Sequence, residues 1–287
     1  MTTLGLVVVG YQSDDVWPGF FASLAHSAVV PNQIVVVENS PSLPTTIPTI
    51  PGLSVSVLHR PDNPGYGTSA NFGVVELRGN PDFVVICNPD IVWEPHTLGT
   101  LIKEMESRPT VGIAGPRLLN IDGSRYPSAR AFPGIRIGIG HALLGDVWKS
   151  NPWTTQYLGT HDGFEPRIVD WLSGACVMVR SETFKAIGGF DEGYFMFVED
   201  VDLCFRAKKR GWRSLFVPEA GLTHSGAHST GPRMAEMVKA HHQSMQKFLF
   251  RMYEGPLYWP VRQALRVGLW VRSAIAPLRY VRSRRED

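Results

Sequence analysis

Five apolar residues in succession, Phe83–Cys87, are followed at once by the polar turn Asn88-Pro89-Asp90. The apolar run is rich in β-branched residues, which predicts a strand that is buried on both faces. Pro89 has no N–H to give to a strand ladder, so the strand ends there. Asp90 is therefore predicted at the carboxyl end of a buried strand, where open α/β sheets bind ligands. On these residues alone, a ligand for a divalent metal and a cap for the following helix are equally well supported.

This strand belongs to a longer alternation of strand and helix patterns. Short apolar runs typical of strands occur at Leu4–Val9, Ile34–Val37 and Val55–Leu58, and helical patterns occur at Val16–Ser27, Thr68–Leu77, Thr97–Glu106 and Met234–Tyr253. Such alternation indicates an α/β fold with a mostly parallel central sheet and helices on both faces. The last of these patterns predicts additional helices at the C-terminal end.

Length and cysteine content limit the class of protein. The 287 residues suffice for one large domain or two small ones. The three cysteines, Cys87, Cys176 and Cys204, form no C-x-x-C pair, which favours free thiols in a reducing compartment over disulfides or zinc. No signal sequence follows Met1, and no apolar run is long enough to span a bilayer. We therefore expect a cytoplasmic protein.

Charge is distributed unevenly along the chain. From Arg233 onward the sequence has 11 Lys and Arg against 4 Asp and Glu, whereas the preceding residues have 17 against 22. The basic segment also contains Tyr258, Trp259 and Trp270, and aromatic residues interspersed with arginine are typical of helices in a membrane interface. Contact with an anionic membrane is thus predicted for residues 233–287, although a helix that packs on a partner protein stays open. Nucleic acid is disfavoured as a partner because the preceding region is acidic.

Four predicted strands end in polar or glycine-rich loops. These loops are Gly10-Tyr11, Glu38-Asn39-Ser40, residues 63–67 and Asn88-Pro89-Asp90. Each alone is explained as a turn, but parallel strands place their carboxyl ends at one edge of a sheet, so together they indicate a crevice of nucleotide size. In Gly65-x-Gly67-x-x-Ala70, we interpret the glycines as allowing the backbone to approach a phosphate or ribose, with Asn71 directed to the same place.

A second acidic cluster is Glu199-Asp200-x-Asp202. Carboxylates this close repel one another, so a metal, a cation such as Arg206 or solvent must compensate them. Residues i and i+2 diverge on a helix, so we expect one of Asp200 and Asp202 to serve a site and the other to cap or pair. A carboxylate near a sugar hydroxyl would be a natural general base. A solvated acidic helix start is the alternative.

Two further regions are less regular. His224 is predicted in a loop that follows a strand, where it is a candidate metal ligand or proton partner, although a structural histidine is the commoner case. The segment Arg117–Pro166 has no sustained hydrophobic period, which favours a lid over the site. We therefore predict a domain at residues 1–232, with halves 1–116 and 117–232, and a basic aromatic helical region at residues 233–287.

Several of these motifs together resemble one known family. They are Val36–Ser40, Asn63–Gly67 with Asn71, Asn88–Asp90, Trp171–Ala175, Gly188–Glu192 and Phe197–Arg206. In this order they are similar to the inverting glycosyltransferases of family 2, which have the Rossmann-like GT-A fold, and most similar to bacterial rhamnosyltransferases that use dTDP-rhamnose. The motifs extend from about Leu4 to Ser229, and they specify the family more closely than the sugar.

The resemblance implies roles for individual residues. Asp90 and His224 would hold Mn²⁺ or Mg²⁺ at the donor diphosphate, and Asp200 would deprotonate the acceptor hydroxyl. The implied substrate-binding residues are Tyr11, Glu38, Asn39, Gly65, Asn71, Asn88, Trp171, Gly174, Ala175, Glu199 and Arg206. Two positions depart from the family pattern, because Asn88 and Glu38 stand where the family often has Asp.

The expected function is metal-dependent transfer of a sugar, which we expect to be L-rhamnose from dTDP-L-rhamnose, to a polyprenyl-diphosphate-linked sugar in cell-wall or polysaccharide synthesis. The enzyme would act as a peripheral protein on the inner face of the cell membrane, and oligomers stay open. Two alternatives are a sugar-nucleotide-binding subunit without activity, for which Asn88 leaves room, and a nucleotide-dependent oxidoreductase that uses Gly65–Ala70.

Overall fold

The computed structural model describes residues 2–43, 47–48, 50–134, 165–225 and 234–267. Its N-terminal half follows the predicted alternation closely. The elements are β1 (Leu4–Gly10), α1 (Trp17–Ala25), β2 (Gln33–Glu38), β3 (Ser54–His59), α2 (Tyr66–Glu76), β4 (Phe83–Cys87), β5 (Ile91–Trp93), α3 (Thr97–Glu106) and β6 (Val111–Leu119).

The second half has shorter and less regular elements. They are β7 (Arg125–Tyr126), β8 (Ala129–Arg130), β9 (Arg167–Val169), β10 (Trp171–Leu172), β11 (Cys176–Arg180), α4 (Ser181–Ile187), α5 (Glu199–Lys209), β12 (Arg213–His224) and α6 (Met234–Met252). A 3₁₀ turn, Pro256–Tyr258, and helical residues 259–267 follow. Most of the predicted lid, the proposed boundary after residue 232 and the arginine-rich C-terminal end lie outside the described residues.

One ten-stranded sheet forms the centre of the fold, in the order β3-β2-β1-β4-β11-β6-β12-β5, with β7 on β6 and β9 on β12. Six of these strands, β1, β2, β3, β4, β6 and β12, run in one direction, because β11 is antiparallel to both β4 and β6. The prediction of a mostly parallel central sheet is therefore confirmed. A separate small sheet pairs β8 with β10.

Helices cover both faces of the sheet, as predicted. Alternate residues of β1 point to opposite faces, so Leu6 joins one buried cluster and Val7 the other. The first cluster contains α1 and α3, and the second contains residues of α2, α4, α5 and α6. Phe248 of α6 is fully buried in the second cluster, so this C-terminal helix packs on the body of the protein.

Other sequence predictions can be compared directly with the structure. All three cysteines are buried and free, as expected. The described part of the chain contains no helix that is long and apolar enough to span a membrane. The predicted loop at His224 is wrong, because β12 extends through this residue and pairs it with Ile91 of β5.

Candidate active site

The carboxyl ends of β3, β2, β1 and β4 lie together at one edge of the sheet. Parallel pairing aligns Gly10, Glu38 and His59 across three of these strands. Backbone bonds connect the loops that follow, since the Asn39 N–H donates to Gly10 O at 2.9 Å and the Arg60 N–H donates to Glu38 O at 2.8 Å. The prediction that the polar loops share an edge is therefore confirmed.

Glu38 and Asn39 line this edge as buried polar side chains. Glu38 Oε1 accepts hydrogen bonds from the Ser40 N–H at 2.9 Å and from Ser40 Oγ at 2.6 Å. Glu38 Oε2 is buried and has no hydrogen-bond partner among the described residues. Asn39 Oδ1 accepts a hydrogen bond from Ser69 Oγ, and the Tyr11 N–H donates to Ser13 Oγ at 3.2 Å. A buried carboxylate oxygen without a donor is costly, so Oε2 is suited to accept a hydrogen bond from a ligand.

The glycine motif lies in a close contact within the chain. Gly65 has φ +97°, and a Cβ there would lie 2.1 Å from the carbonyl oxygen of Phe195. A Cβ on Gly67 would lie 2.9 Å from the Cβ of Phe190. The glycines therefore allow close packing of α2 against residues 190–195 of the same chain, and an approach of this backbone to a phosphate or ribose stays a prediction.

Asn71 is occupied by the same packing. Its Nδ2 donates to Phe190 O at 2.9 Å, and its Oδ1 accepts from the Phe190 N–H at 2.8 Å. Both ends of the amide thus hold the backbone of residue 190. The direct nucleotide contact implied for Asn71 would require these two bonds to open.

Asp90 and His224 come together because β5 and β12 pair in antiparallel register. His224 lies opposite Ile91, next to Asp90, and its Nε2 is 3.2 Å from Asp90 Oδ1. Asn88 Nδ2 is 3.4 Å from the same Nε2. The imidazole is buried, Tyr126 packs edge-on against it at 5.2 Å, and its Nδ1 has no hydrogen-bond partner among the described residues. The two predicted metal ligands are therefore neighbours.

These residues fit a metal that is shared with a substrate. No group of three or more His, Cys, Asp or Glu side chains in the described ranges could hold an ion by itself. Asp90 and His224 offer one oxygen and one nitrogen ligand. Mg²⁺ is usually held by one or two carboxylates together with water and substrate phosphates. The pair therefore suits an ion whose remaining ligands come from a diphosphate and from water.

Asp200 lies in the first turn of α5 and is attached to the loop that leads into β11. Its Oδ2 accepts a hydrogen bond from the Gly174 N–H at 2.8 Å, and its Oδ1 accepts one from the Val201 N–H at 2.8 Å. Tyr66 Oη donates to Gly174 O at 2.6 Å. A Cβ on Gly174 would lie only 3.2 Å from the Asp200 Cβ, so glycine permits this close contact.

The same loop connects Asp200 to the Asp90 pair. The Asn88 N–H donates to Ala175 O at 3.0 Å, next to the Gly174 peptide that Asp200 holds. A continuous path of contacts thus runs from Asp200 through residues 174 and 175 to Asn88 and then to His224. The two acidic positions, 110 residues apart in sequence, lie along one connected wall.

Burial governs the electrostatics of the acidic cluster. It raises the pKa of Asp200, against which the two backbone hydrogen bonds and the charge of Arg130 act. Burial, followed by the charge of Asp200, raises the pKa of Glu199 to about 8. Glu199 Oε2 is buried without a hydrogen-bond partner in the described ranges. Burial thus makes the Asp200 carboxylate more basic, which suits it to accept a proton.

Asp202 points elsewhere, as the expected divergence of residues i and i+2 requires. It is fully buried and accepts hydrogen bonds from Arg206 Nε at 2.6 Å and from Arg251 Nη1 of α6. Arg206 also donates from Nη1 to Ile187 O at 2.7 Å. The contacts of Arg206 therefore lie on the Asp202 side of α5, and a role in substrate binding would have to use its remaining Nη2.

Trp171 is fixed at the opposite end of the connecting loop. Its Nε1 donates to Ala131 O at 2.9 Å, and the guanidinium of Arg130 lies 5.4 Å from its ring centroid. Neither Arg130 nor Tyr66 was singled out from sequence. Tyr66 could have been noticed because it lies inside the glycine motif, whereas the environment of Arg130 gives no such signal.

Comparisons with known proteins agree with this geometry. The sequence model described as "Glycosyltransferase like family 2" matches residues 3–245. The N-acetylglucosaminyl-diphospho-decaprenol L-rhamnosyltransferase of Mycobacterium tuberculosis is 39% identical over 290 residues, which cover 95% of this chain and 94% of that protein. Rhamnosyltransferase WbbL of Escherichia coli is 29% identical over 65% of this chain and 70% of that protein.

A solved structure extends the comparison to the fold. Mannosyltransferase PcManGT from Pyrobaculum calidifontis, in complex with GDP-Man and Mn²⁺, aligns with a TM-score of 0.58 at 15% identity. The alignment covers 98% of this chain and 75% of that chain. At this identity the likeness shows a shared fold.

Proposed function

The chain belongs to glycosyltransferase family 2, and on that premise we propose that it transfers L-rhamnose from dTDP-L-rhamnose to a polyprenyl-diphosphate-linked N-acetylglucosamine. That the protein is a hexosyltransferase with the GT-A fold follows from the family match. The donor, the acceptor and the dependence on metal are the proposed part. They are supported by the 39% identity to a relative whose name states both the sugar and the decaprenol-linked acceptor.

The observation that carries the proposed chemistry is the wall shared by Asp90, His224 and Asp200. Asp90 and His224 would hold Mn²⁺ or Mg²⁺, which when bound supplies positive charge to a departing nucleoside diphosphate. Glu38 and Asn39, at the ends of neighbouring strands, would hold the base or ribose of the same donor. Gly174 and Ala175, between the two acidic positions, would border the transferred sugar.

Asp200 would act as the general base in a single displacement. Its carboxylate takes the proton from the acceptor hydroxyl as that oxygen bonds to the anomeric carbon. The bond from this carbon to the diphosphate oxygen breaks on the opposite face, so the configuration inverts. The Gly174 and Val201 N–H groups orient the carboxylate, and burial raises its pKa, which makes it a stronger base.

The proposal is tested by incubating the protein with a short-chain GlcNAc-diphosphate lipid, Mn²⁺ and separate sugar nucleotides. We expect mass spectrometry to find addition of one deoxyhexose with dTDP-rhamnose and no product with UDP-glucose or GDP-mannose. Chelation of the metal should stop the reaction. Transfer of a different sugar would refute the donor assignment, and transfer that persists after chelation would refute the metal assignment.

We further propose that the enzyme contacts the inner face of the cell membrane through its C-terminal region. Leu257, Tyr258 and Trp259 expose 85%, 44% and 59% of their surface in one turn, followed by Arg262 and Arg266. Apolar and aromatic side chains beside arginine favour binding to an anionic bilayer. Replacement of all three by serine should reduce flotation with anionic vesicles, whereas a Val75→Ser and Ile121→Ser control should not. Equal flotation would refute this site.

A further inference from the structure

Arg130 occupies a defined place beside the connecting loop. In the small sheet of β8 and β10 it pairs with Trp171, and its guanidinium lies 5.4 Å from the Trp171 ring centroid. Its Nε donates to Pro127 O at 2.9 Å. The two terminal nitrogens of the guanidinium make no hydrogen bond to any described residue. The cation is thus oriented by its own chain, and within the described ranges its two terminal nitrogens remain available to a ligand.

The order of groups along residues 171–175 is informative. Arg130 adjoins Trp171 at the start, Asp200 holds the Gly174 N–H in the middle, and Asn88 holds Ala175 O at the end. Asn88 leads to His224 and Asp90, the proposed site of the donor diphosphate. In the order of contacts along this loop, the proposed base therefore comes between a cation and the metal pair. The charge of Arg130 also reaches Asp200, where it lowers the pKa that burial raises.

The acceptor chemistry matches this order. A lipid-linked sugar presents its attacking hydroxyl on one side of the ring and its diphosphate at the anomeric carbon. When the hydroxyl points at Asp200 and the donor lies on the Asp90 side, the acceptor diphosphate is directed away from the donor. Arg130 adjoins the end of the loop that is farther along from the Asp90 pair, and its charge acts on Asp200.

We propose that Arg130 binds the diphosphate of the acceptor and thereby selects a lipid-diphosphate sugar over an uncharged glycoside. This proposal rests on the proposed function. A guanidinium stacked on an aromatic ring is already oriented, and its fork matches two phosphate oxygens at once. Little side-chain freedom is then lost on binding, which favours affinity. Lysine in the same place would supply charge without the paired hydrogen bonds.

The test compares two acceptors that differ only in charge, a GlcNAc-diphosphate alkyl lipid and the GlcNAc glycoside of the same alkyl chain. In the wild type we expect the charged acceptor to bind more tightly and to have the lower KM. Arg130→Gln should raise its KM roughly 10–100-fold, the range for losing hydrogen bonds to a charged group. KM for the neutral glycoside and KM for the donor should stay unchanged. Any change in kcat, which the charge of Arg130 can affect through Asp200, should be the same with both acceptors. Arg130→Lys should recover part of the discrimination.

The control is Lys208→Gln, which removes an exposed cation that pairs with Asp170 and lies over Phe132 nearby. It should leave the preference between acceptors intact. A rise in donor KM in Arg130→Gln would instead assign Arg130 to the donor diphosphate. An equal rise in KM for both acceptors would refute charge recognition. Either outcome overturns the proposal. If the wild type transfers nothing to either acceptor, the proposed function fails. Calorimetric binding of the same two lipids to wild type and Arg130→Gln then decides the role of Arg130 separately.

Discussion

The two acidic ends of the active site are held in contrasting ways. Asp90 follows a buried strand, and the register of β5 with β12 is enough to bring it to His224. Asp200 begins a helix after Phe197 and Val198, which have φ angles of 64° and 69°. Left-handed angles at two successive residues other than glycine are costly, so surrounding contacts must maintain them.

Those contacts come from distant parts of the chain. Asp202, two residues after Asp200, is buried between Arg206 and Arg251. Arg251 and Lys247 of α6 also bind Asp191, where burial would raise the pKa but these cations and the Gly193 N–H lower it to about 2. The Asp90 end is thus defined by the sheet, whereas the Asp200 end depends on a charge network that α6 completes.

We expect the largest effect, a loss of kcat, from a substitution at Asp200 itself. Asp200→Asn keeps the shape of the side chain but removes its ability to take a proton. We expect kcat to fall by roughly 10²–10⁴-fold, the contribution usual for a general base, while dissociation constants for donor and metal change little. Steady-state kinetics and calorimetry measure the two quantities. Asp170→Asn, at a carboxylate paired with surface Lys208, is the control. Turnover near the wild-type rate in Asp200→Asn would exclude it as the base.

The charge network is tested next through Arg251→Met, which retains most of the aliphatic packing. The fully buried Asp202 would lose one of its two cations, and breaking a buried pair in this way typically costs about 3–5 kcal/mol. Urea unfolding should show this loss of stability. The control, Lys209→Met, removes an exposed pair with Glu254 that also links α5 to the C-terminal region, and it should cost under about 1 kcal/mol. Equal losses would mean that α6 does not hold the Asp200 end.

The Asp90 end of the site could be predicted from the sequence more fully than the Asp200 end. Runs such as Phe83–Cys87 are short and strongly patterned, so the strands and the shared polar edge could be predicted from local residues. The partners of Asp202 could not be identified, because Arg251 lies 49 residues away and nothing local marks the contact. The packing role of Gly65 could not be identified for a similar reason, since it arises from the carbonyl of Phe195.

His224 shows how far prediction from the sequence reached at the Asp90 end. The sequence predicted a loop there, but β12 continues past a register shift between Val217 and Gly221. Pairing with β6 and β5 outweighs the local pattern there. From the residues alone the histidine was one candidate ligand, a role that the family resemblance also implied, and its position beside Asp90 became visible only with the sheet.

A smaller effect is expected from His224→Ala, which tests whether strand register alone builds a metal site. Donor-dependent Mn²⁺ binding should weaken at least about tenfold, because even the outer partners of metal ligands contribute that much. Thermal stability without metal and donor should change less than in Arg251→Met, since no ion pair of the network is touched. His96→Ala, at an exposed histidine, is the control. Undiminished metal affinity would leave Asp90 as the sole candidate ligand of the two.

The smallest expected effect is a change in the pH dependence of stability on substitution of Glu199, the neighbour of Asp200. Its pKa is raised to about 8 in the folded protein from the ordinary value of 4.5, so the folded state binds the proton more tightly than the unfolded chain between these values. The free energy of unfolding contributed by this group must then fall as pH rises through that window. Glu199→Gln carries no titrating proton at this position and loses that slope. We expect the Tm of the variant relative to wild type to increase by at least about 2 °C between about pH 5 and about pH 9.

The exposed control Glu76→Gln should show no such trend. A constant difference would mean that Glu199 is as easily ionised in the fold as in water, and the Asp200 end would then be less secluded from solvent than its burial indicates.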